Sequence, residues 1–221
     1  MEKEPKKQFL DIFMRRIYRP GAEEFLEWLK TTDFFTAPAS TRFHLAREGG
    51  LVEHSLHVYQ RLRRLYMLEF TNGDLPYPDQ HESIAICGLL HDICKVNVYK
   101  PEPKNRKTYD PDKVAAAETW QVKHDALGDY IWETVMGYRF EDDFPYGHGE
   151  KSVYLISGPM SLTHEEAMAI RWHMGFSDSE FKAGGYSVGN AFERYPLAVL
   201  THIADLQATY LDEAEGAGKG Q

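Results

Sequence analysis

IAICGLLHDICK, residues 84–95, begins with seven residues that no aqueous surface would select. Ile84, Ala85, Ile86, Cys87, Leu89 and Leu90 are apolar or small, and the seventh is Gly88. A segment apolar on all sides reads as a helix buried on all sides. It then ends in three polar residues, His91, Asp92 and Lys95. With about 100° of rotation per residue, the three side chains fit within an arc of roughly 100°. An imidazole and a carboxylate at the end of a buried helix are costly unless something compensates them. A bound cation does so directly, and other segments of the chain carry suitable ligands.

The rest of the composition is that of one ordinary globular domain. At 221 residues the chain buries a full core without staples. Its net charge of −9 gives no bulk attraction to nucleic acid or an anionic membrane. The opening MEKEPKKQFLDIFMRRIY lacks the apolar run of a signal peptide, and no segment approaches the ~18 apolar residues that span a bilayer. Cys87 and Cys94, seven residues apart on one expected helix, are separated by about 10 Å of rise. That exceeds the ~7 Å a disulfide tolerates, so free thiols and a cytoplasmic location are expected.

Two short amphipathic helices are expected at 9–18 and 22–29, separated by the Pro20-Gly21 turn. A loop at 36–50 follows, then a helix from Leu51 to about Phe70. Leu51, Val58, Leu62 and Leu65 form its apolar stripe. His54 lies roughly 60° from that stripe and His57 about 120°, so His54 faces inward and His57 does not. Residues 71–78 are rich in turn formers, and the doublet helix runs from there to Lys95. Beyond it, 104–112 reads as polar loop, 115–117 as helix and 130–140, rich in aromatic and β-branched residues, as a short hairpin. A helix is expected at 150–157. Thr163 caps the next one, with Glu166 completing a capping box and Gly175 closing it. The loop 175–189 and a single apolar helix over 192–211 complete the chain.

Five segments now carry an inward-facing residue of metal-binding type: His54, His91 with Asp92, His148, His173 and Asp205. Asp205 sits among Leu200, Ile203 and Leu206, where an unpaired carboxylate is expensive. A hydrogen-bonded structural role explains any one of these histidines, but not the whole set with its adjacent His-Asp pair. Mixed imidazole and carboxylate ligation points to zinc or a transition metal rather than magnesium or calcium. Among other polar residues, His44 is close enough in its loop to reach the site. Lys151 and Arg171 are weak candidates for substrate contact. His202, three residues before Asp205, reads as support for the site or packing. His57, His81 and His164 read as solvated. His124-Asp125 is a second doublet, but it has no buried helix around it and reads as surface.

In this order the motifs resemble the HD-domain metal-dependent phosphohydrolases. The matching segments are an early His in GGLVEHSL, the doublet in LLHDICK and a late Asp in HIADLQATY. Two further histidines, in GHGEKS and RWHMG, resemble the subgroup that carries two between doublet and late Asp. The resemblance covers about residues 40–210 and implies an all-α bundle, with a short β-hairpin insertion allowed around 95–145. On that reading 1–35 is an N-terminal helical extension, 36–212 the HD domain and 213–221 a disordered tail. It also implies that His54, His91, Asp92 and Asp205 hold one divalent metal. His148 and His173 then complete a second site bridged by Asp92; Mn, Fe, Zn and Ni all fit. Lys95 matches a lysine that meets the substrate phosphate or attacking water in many members, although Cys94 stands where Gly usually precedes it. The GYP signature of the cyclic-dinucleotide branch is absent. The implied activity is hydrolysis of a small phosphorylated compound, a nucleotide first among them, with Asp92 and Lys95 catalytic. Two other readings are a 3′→5′ exoribonuclease, disfavoured by the acidity and the lack of room for an OB-fold domain, and a non-catalytic metal- or nucleotide-binding module.

Overall fold

The computed structural model describes residues 4–71, 78–183 and 185–214. The helices are α1 (Pro5–Arg16), α2 (Ala22–Thr31), α3 (Gly50–Phe70), α4 (Pro78–Leu90), α5 (Pro111–Ala116), α6 (His148–Ser157), α7 (His164–Arg171), α8 (Ser179–Lys182), α9 (Ser187–Arg194) and α10 (Pro196–Gln207). Three antiparallel strands, β1 (Tyr99–Thr108), β2 (Lys123–Asp125) and β3 (Gly128–Phe140), form a sheet in the order β1-β3-β2. The fold is therefore mostly helical, and the expected turn-rich stretch 72–77 lies outside the described residues.

The doublet helix sits at the centre. Residues 84–90 of α4 are fully buried, and α1, α3, α7 and α10 all pack against it. Gly88 is what lets α3 approach: a Cβ there would lie 2.6 Å from the Tyr59 Cα. This close crossing brings His54 of α3 beside His91. A second glycine does the same at the other side of the site. A Cβ on Gly149 would lie 2.1 Å from the Arg171 carbonyl oxygen, so only glycine lets α6 meet the end of α7 and place His148 beside His173. The N-terminal helices belong to the same core rather than extending from it, because Phe9, Phe13 and Phe25 join the cluster that contains α4.

Several sequence expectations are corrected. The doublet helix stops at Leu90 rather than Lys95, and residues 93–95 form a 3₁₀ turn. Side chains three residues apart eclipse in that geometry, which sets Lys95 directly over Asp92. The β insertion allowed at 95–145 is present but larger than a short hairpin: it is a three-stranded sheet that also carries α5, and residues 104–108 are strand rather than loop. β1 is an edge strand, which tolerates Pro101 and Pro103 and explains its polar sequence. Thr163 and Glu166 do form the capping box, but the helix ends at Arg171, four residues before Gly175. The last helix is two: Tyr195 is extended before Pro196 (φ −127°, ψ 92°), as the proline ring demands, and α10 starts at the proline. After α10, residues 208–212 widen into a π-helical turn.

Candidate metal centre

Three imidazoles converge with their proton-bearing nitrogens turned away. His91 Nδ1 donates to the Gly88 carbonyl at 3.1 Å, and His173 Nδ1 to the Ile170 carbonyl at 2.7 Å. Each reaches back three residues to a group that only accepts, so in each ring Nε2 is left with its lone pair. His54 Nδ1 faces the Glu213 carboxylate at 3.1 Å, with the same consequence. The freed nitrogens point at one another and at carboxylates. His54 Nε2 lies 3.3 Å from His91 Nε2 and 3.3 Å from Asp205 Oδ1. His173 Nε2 is buried without a hydrogen-bond partner among the described residues, 3.4 Å from Asp92 Oδ1. Two imidazole nitrogens that face each other and a carboxylate need a proton or a cation between them. A bound cation would take the place of the proton that Asp205 and Glu213 favour on His54.

Asp92 is the hub. Its carboxylate meets Lys95 Nζ at 2.7 Å and His148 Nε2 at 2.9 Å, and lies 3.5 Å from His91 Nε2. Burial alone would raise its pKa, but the Lys95 ammonium, His91 and the His148 hydrogen bond hold it well below the usual range. Burial drives His91 down to about 3 and keeps it neutral. Burial also opposes charge on His54 and His148. There the carboxylates win: hydrogen bonds to Asp205 and Glu213 raise His54 to about 9, and Cys94 and Asp92 raise His148 to about 10. The site is thus an anionic cluster that collects positive charge.

Four overlapping groups have ligand atoms close enough to share a cation: His44, His54 and Glu213; His54, His91 and Asp205; His91, Asp92 and His173; Asp92, Cys94 and His148. The residues fit a metal on two independent grounds: the orphaned His173 Nε2, and the fixed tautomers of three imidazoles, the arrangement in which a ligating histidine donates its other nitrogen to a backbone carbonyl or carboxylate. His54, Asp92, His148, Asp205 and Glu213 border a cavity of about 760 Å³, lined also by His44, Lys95 and Thr209, while His91 and His173 lie buried behind it.

No family model, curated protein or solved structure matches the chain. The functional reading therefore rests on the chemistry of these side chains.

The structure brings together His54, His91, Asp92, His148, His173, Asp205, Lys95 and His44. It places two weak candidates elsewhere. Lys151 is buried against Asp142 at 2.5 Å, and Arg171 pairs with Glu150 at 2.5 Å and Asp178 at 3.0 Å while stacking on Trp172. Neither lines the cavity. His202 supports the site, donating from Nδ1 to the His173 carbonyl at 2.7 Å. His124 is exposed on β2 and paired with Asp129. His164 is exposed as expected, but His81 is buried. His57, expected in solvent, holds Glu213 at 2.8 Å.

Two residues were missed. Cys94 Sγ lies 3.4 Å from His148 Nδ1 and 3.8 Å from its Nε2, inside the centre rather than merely beside it. Glu213 was assigned to a disordered tail but is buried between His54 and His57. Its signal was present: Asp205, Thr209 and Glu213 recur every four residues, on one side of a helix. Because Glu213 orients His54 and neutralises it from behind, Glu213→Ala should weaken metal affinity 10- to 100-fold, the usual cost of losing such a partner. Competition against a chromogenic chelator reads this. An unchanged affinity would mean that Glu213 only fastens the chain end.

Proposed function

We propose that this chain is an HD-type metal-dependent phosphohydrolase acting on a small phosphorylated compound, with a nucleotide the best fit. The observation that carries the reading is the convergence of His54, His91 and His173 on Asp92 and Asp205, at the floor of a cavity that His54, Asp92, Asp205 and the Lys95 ammonium line. A divalent cation bound there supplies a water acidified toward neutral pH and positive charge beside a phosphoryl group. His54, His91, Asp92 and Asp205 would hold one ion; Asp92, His148 and His173 would hold a second, with Cys94 within reach.

The remaining side chains deal with substrate. Burial would lower the Lys95 pKa, but Asp92 and Tyr99 raise it, so Lys95 keeps its proton. A second bond to the Ala39 carbonyl at 3.0 Å fixes its position at the cavity wall. A fixed ammonium there neutralises a non-bridging phosphoryl oxygen as charge accumulates on it. His44 lines the same wall, and its buried Nε2 has no hydrogen-bond partner among the described residues. A volume near 760 Å³ accommodates a mononucleotide. Both cysteines are free and buried, which fits a reducing cytoplasm. Among the described residues no helix is long and apolar enough to cross a membrane.

Protein purified without chelator should carry transition metal or zinc and hydrolyse a phosphomonoester or phosphodiester in the presence of Mn²⁺. Lys95→Ala should lower kcat roughly 100-fold while metal content stays near wild type, since an ammonium stabilises charge but cannot ligate. Metal-loaded wild type inert toward both ester classes would reduce the centre to a binding module. Loss of metal in Lys95→Ala would make the lysine a structural prop for Asp92.

A further inference from the structure

α1 and α3 enclose a second recess, of about 820 Å³, that shares no residue with the metal cavity. Four arginines line it: Arg15 and Arg16 from α1, and Arg63 and Arg64 from α3. Arg63 lies nine residues beyond His54 on α3, about 14 Å along the axis. Elsewhere on the same two sides of the molecule arginines are neutralised. Arg19 pairs with Glu82 and Glu166, and Arg61 with Asp212. Arg16, Arg63 and Arg64 form no ion pair among the described residues, and Arg15 reaches only Asp11, at 4.0 Å. The two helices also direct their charge at one point. Burial lowers the pKa of His81, and the charges of Arg16 and Arg63, one from each helix, lower it further.

Like charges gathered in a recess repel, and here they gather on a chain whose net charge is −9. Surface lysines and arginines spread over an acidic protein would find carboxylates with little effort. Four guanidiniums facing one Asp11 leave about three positive charges unanswered. A single phosphate monoester brings about −1.5 to −2, so a linked di- or triphosphate balances the recess better than one phosphate. Guanidinium forks match phosphate oxygens in bidentate geometry, which a lysine cannot do. Tyr59 lines the same recess and gives an organic substituent an apolar wall.

We infer that the α1–α3 recess is a binding site for a soluble compound carrying a di- or triphosphate, separate from the metal centre. Isothermal titration with inorganic tripolyphosphate, in chelator so that no cation bridges ligand and protein, tests it on the full chain. Binding is expected, and it should weaken as salt is raised. Arg16→Gln combined with Arg63→Gln should raise Kd at least tenfold, whereas Lys95→Ala should leave it unchanged. Arg16→Lys with Arg63→Lys should recover only part of the affinity, because charge is restored but the fork is not; unliganded melting temperature confirms that each variant folds. Absence of binding overturns the assignment. So does loss of affinity in Lys95→Ala with the arginine variants unaffected, since the anion would then sit at the metal centre. Binding to phosphatidylserine vesicles without binding to tripolyphosphate overturns it as well, by making the arginines a membrane-facing patch.

Discussion

Asp92→Ala should strip the protein of most bound metal and abolish hydrolysis while the helical fold persists. Five groups depend on this one carboxylate: Lys95 Nζ at 2.7 Å, His148 Nε2 at 2.9 Å, His173 Nε2 at 3.4 Å, His91 Nε2 at 3.5 Å and His54 Nε2 at 3.6 Å. Its removal takes away the negative charge that the ligands of α3 and α4 share with those of α6 and α7, although His91 still lies against both His54 and His173. The fold should survive, because Asp92 occupies the turn after α4 and not the apolar core that the helices share. Lys95, which loses its ion pair, retains the Ala39 carbonyl, and His148, whose pKa Asp92 helps to raise, loses its proton more readily. Metal per chain, turnover and far-ultraviolet circular dichroism measured on one preparation separate these effects. Unchanged metal and turnover would remove the site assignment altogether, and lost helicity would make Asp92 a folding residue.

Where a residue's burial decides its role, the sequence was legible. Ile84 to Leu90 could only be a buried helix, and the polar cluster at its end marked the site before any geometry was known. His54 followed from the α3 stripe; Asp205 was picked out as a carboxylate among Leu200, Ile203 and Leu206, but Leu206 is exposed and Asp205 borders the cavity rather than an apolar core. Periodicity failed where the backbone departs from the α-helix. The 3₁₀ turn at 93–95 rotates Lys95 over Asp92, and the π-helical turn at 208–212 carries Glu213 back under His54. A helical wheel does not display the first departure, and the four-residue spacing of Asp205, Thr209 and Glu213 was the trace of the second. Polar strands failed for a related reason: β1 is an edge strand with little core contact, so solvent rather than burial shaped its composition. Lys151 and Arg171 show a third limit. Their partners, Asp142 and Asp178, are local in sequence, but nothing in residue type reveals that a cation near a site is already committed to a carboxylate.

The last expectation concerns how many ions the centre holds. A zinc-like ion takes about four ligands, and His54, His91, Asp92 and Asp205 already supply four. That leaves His148, His173 and Cys94 on the far side of Asp92, with His173 Nε2 buried and unpartnered. Hydrogen bonds to Asp92 and Cys94 account for His148, but none among the described residues accounts for His173 Nε2. Gly149 keeps α6 close enough to α7 for His148 and His173 to meet, at the cost of a flexible residue in the first turn of α6. If the second group is a second site, His148→Ala and His173→Ala should each lower the metal count from about two per chain to about one, with activity falling in step. His91→Ala should then release the ion that remains, because His91 belongs to the group on the α3 side. Elemental analysis of protein purified without chelator gives the counts directly. One ion per chain in fully active wild type would turn His148 and His173 into substrate contacts around a mononuclear centre.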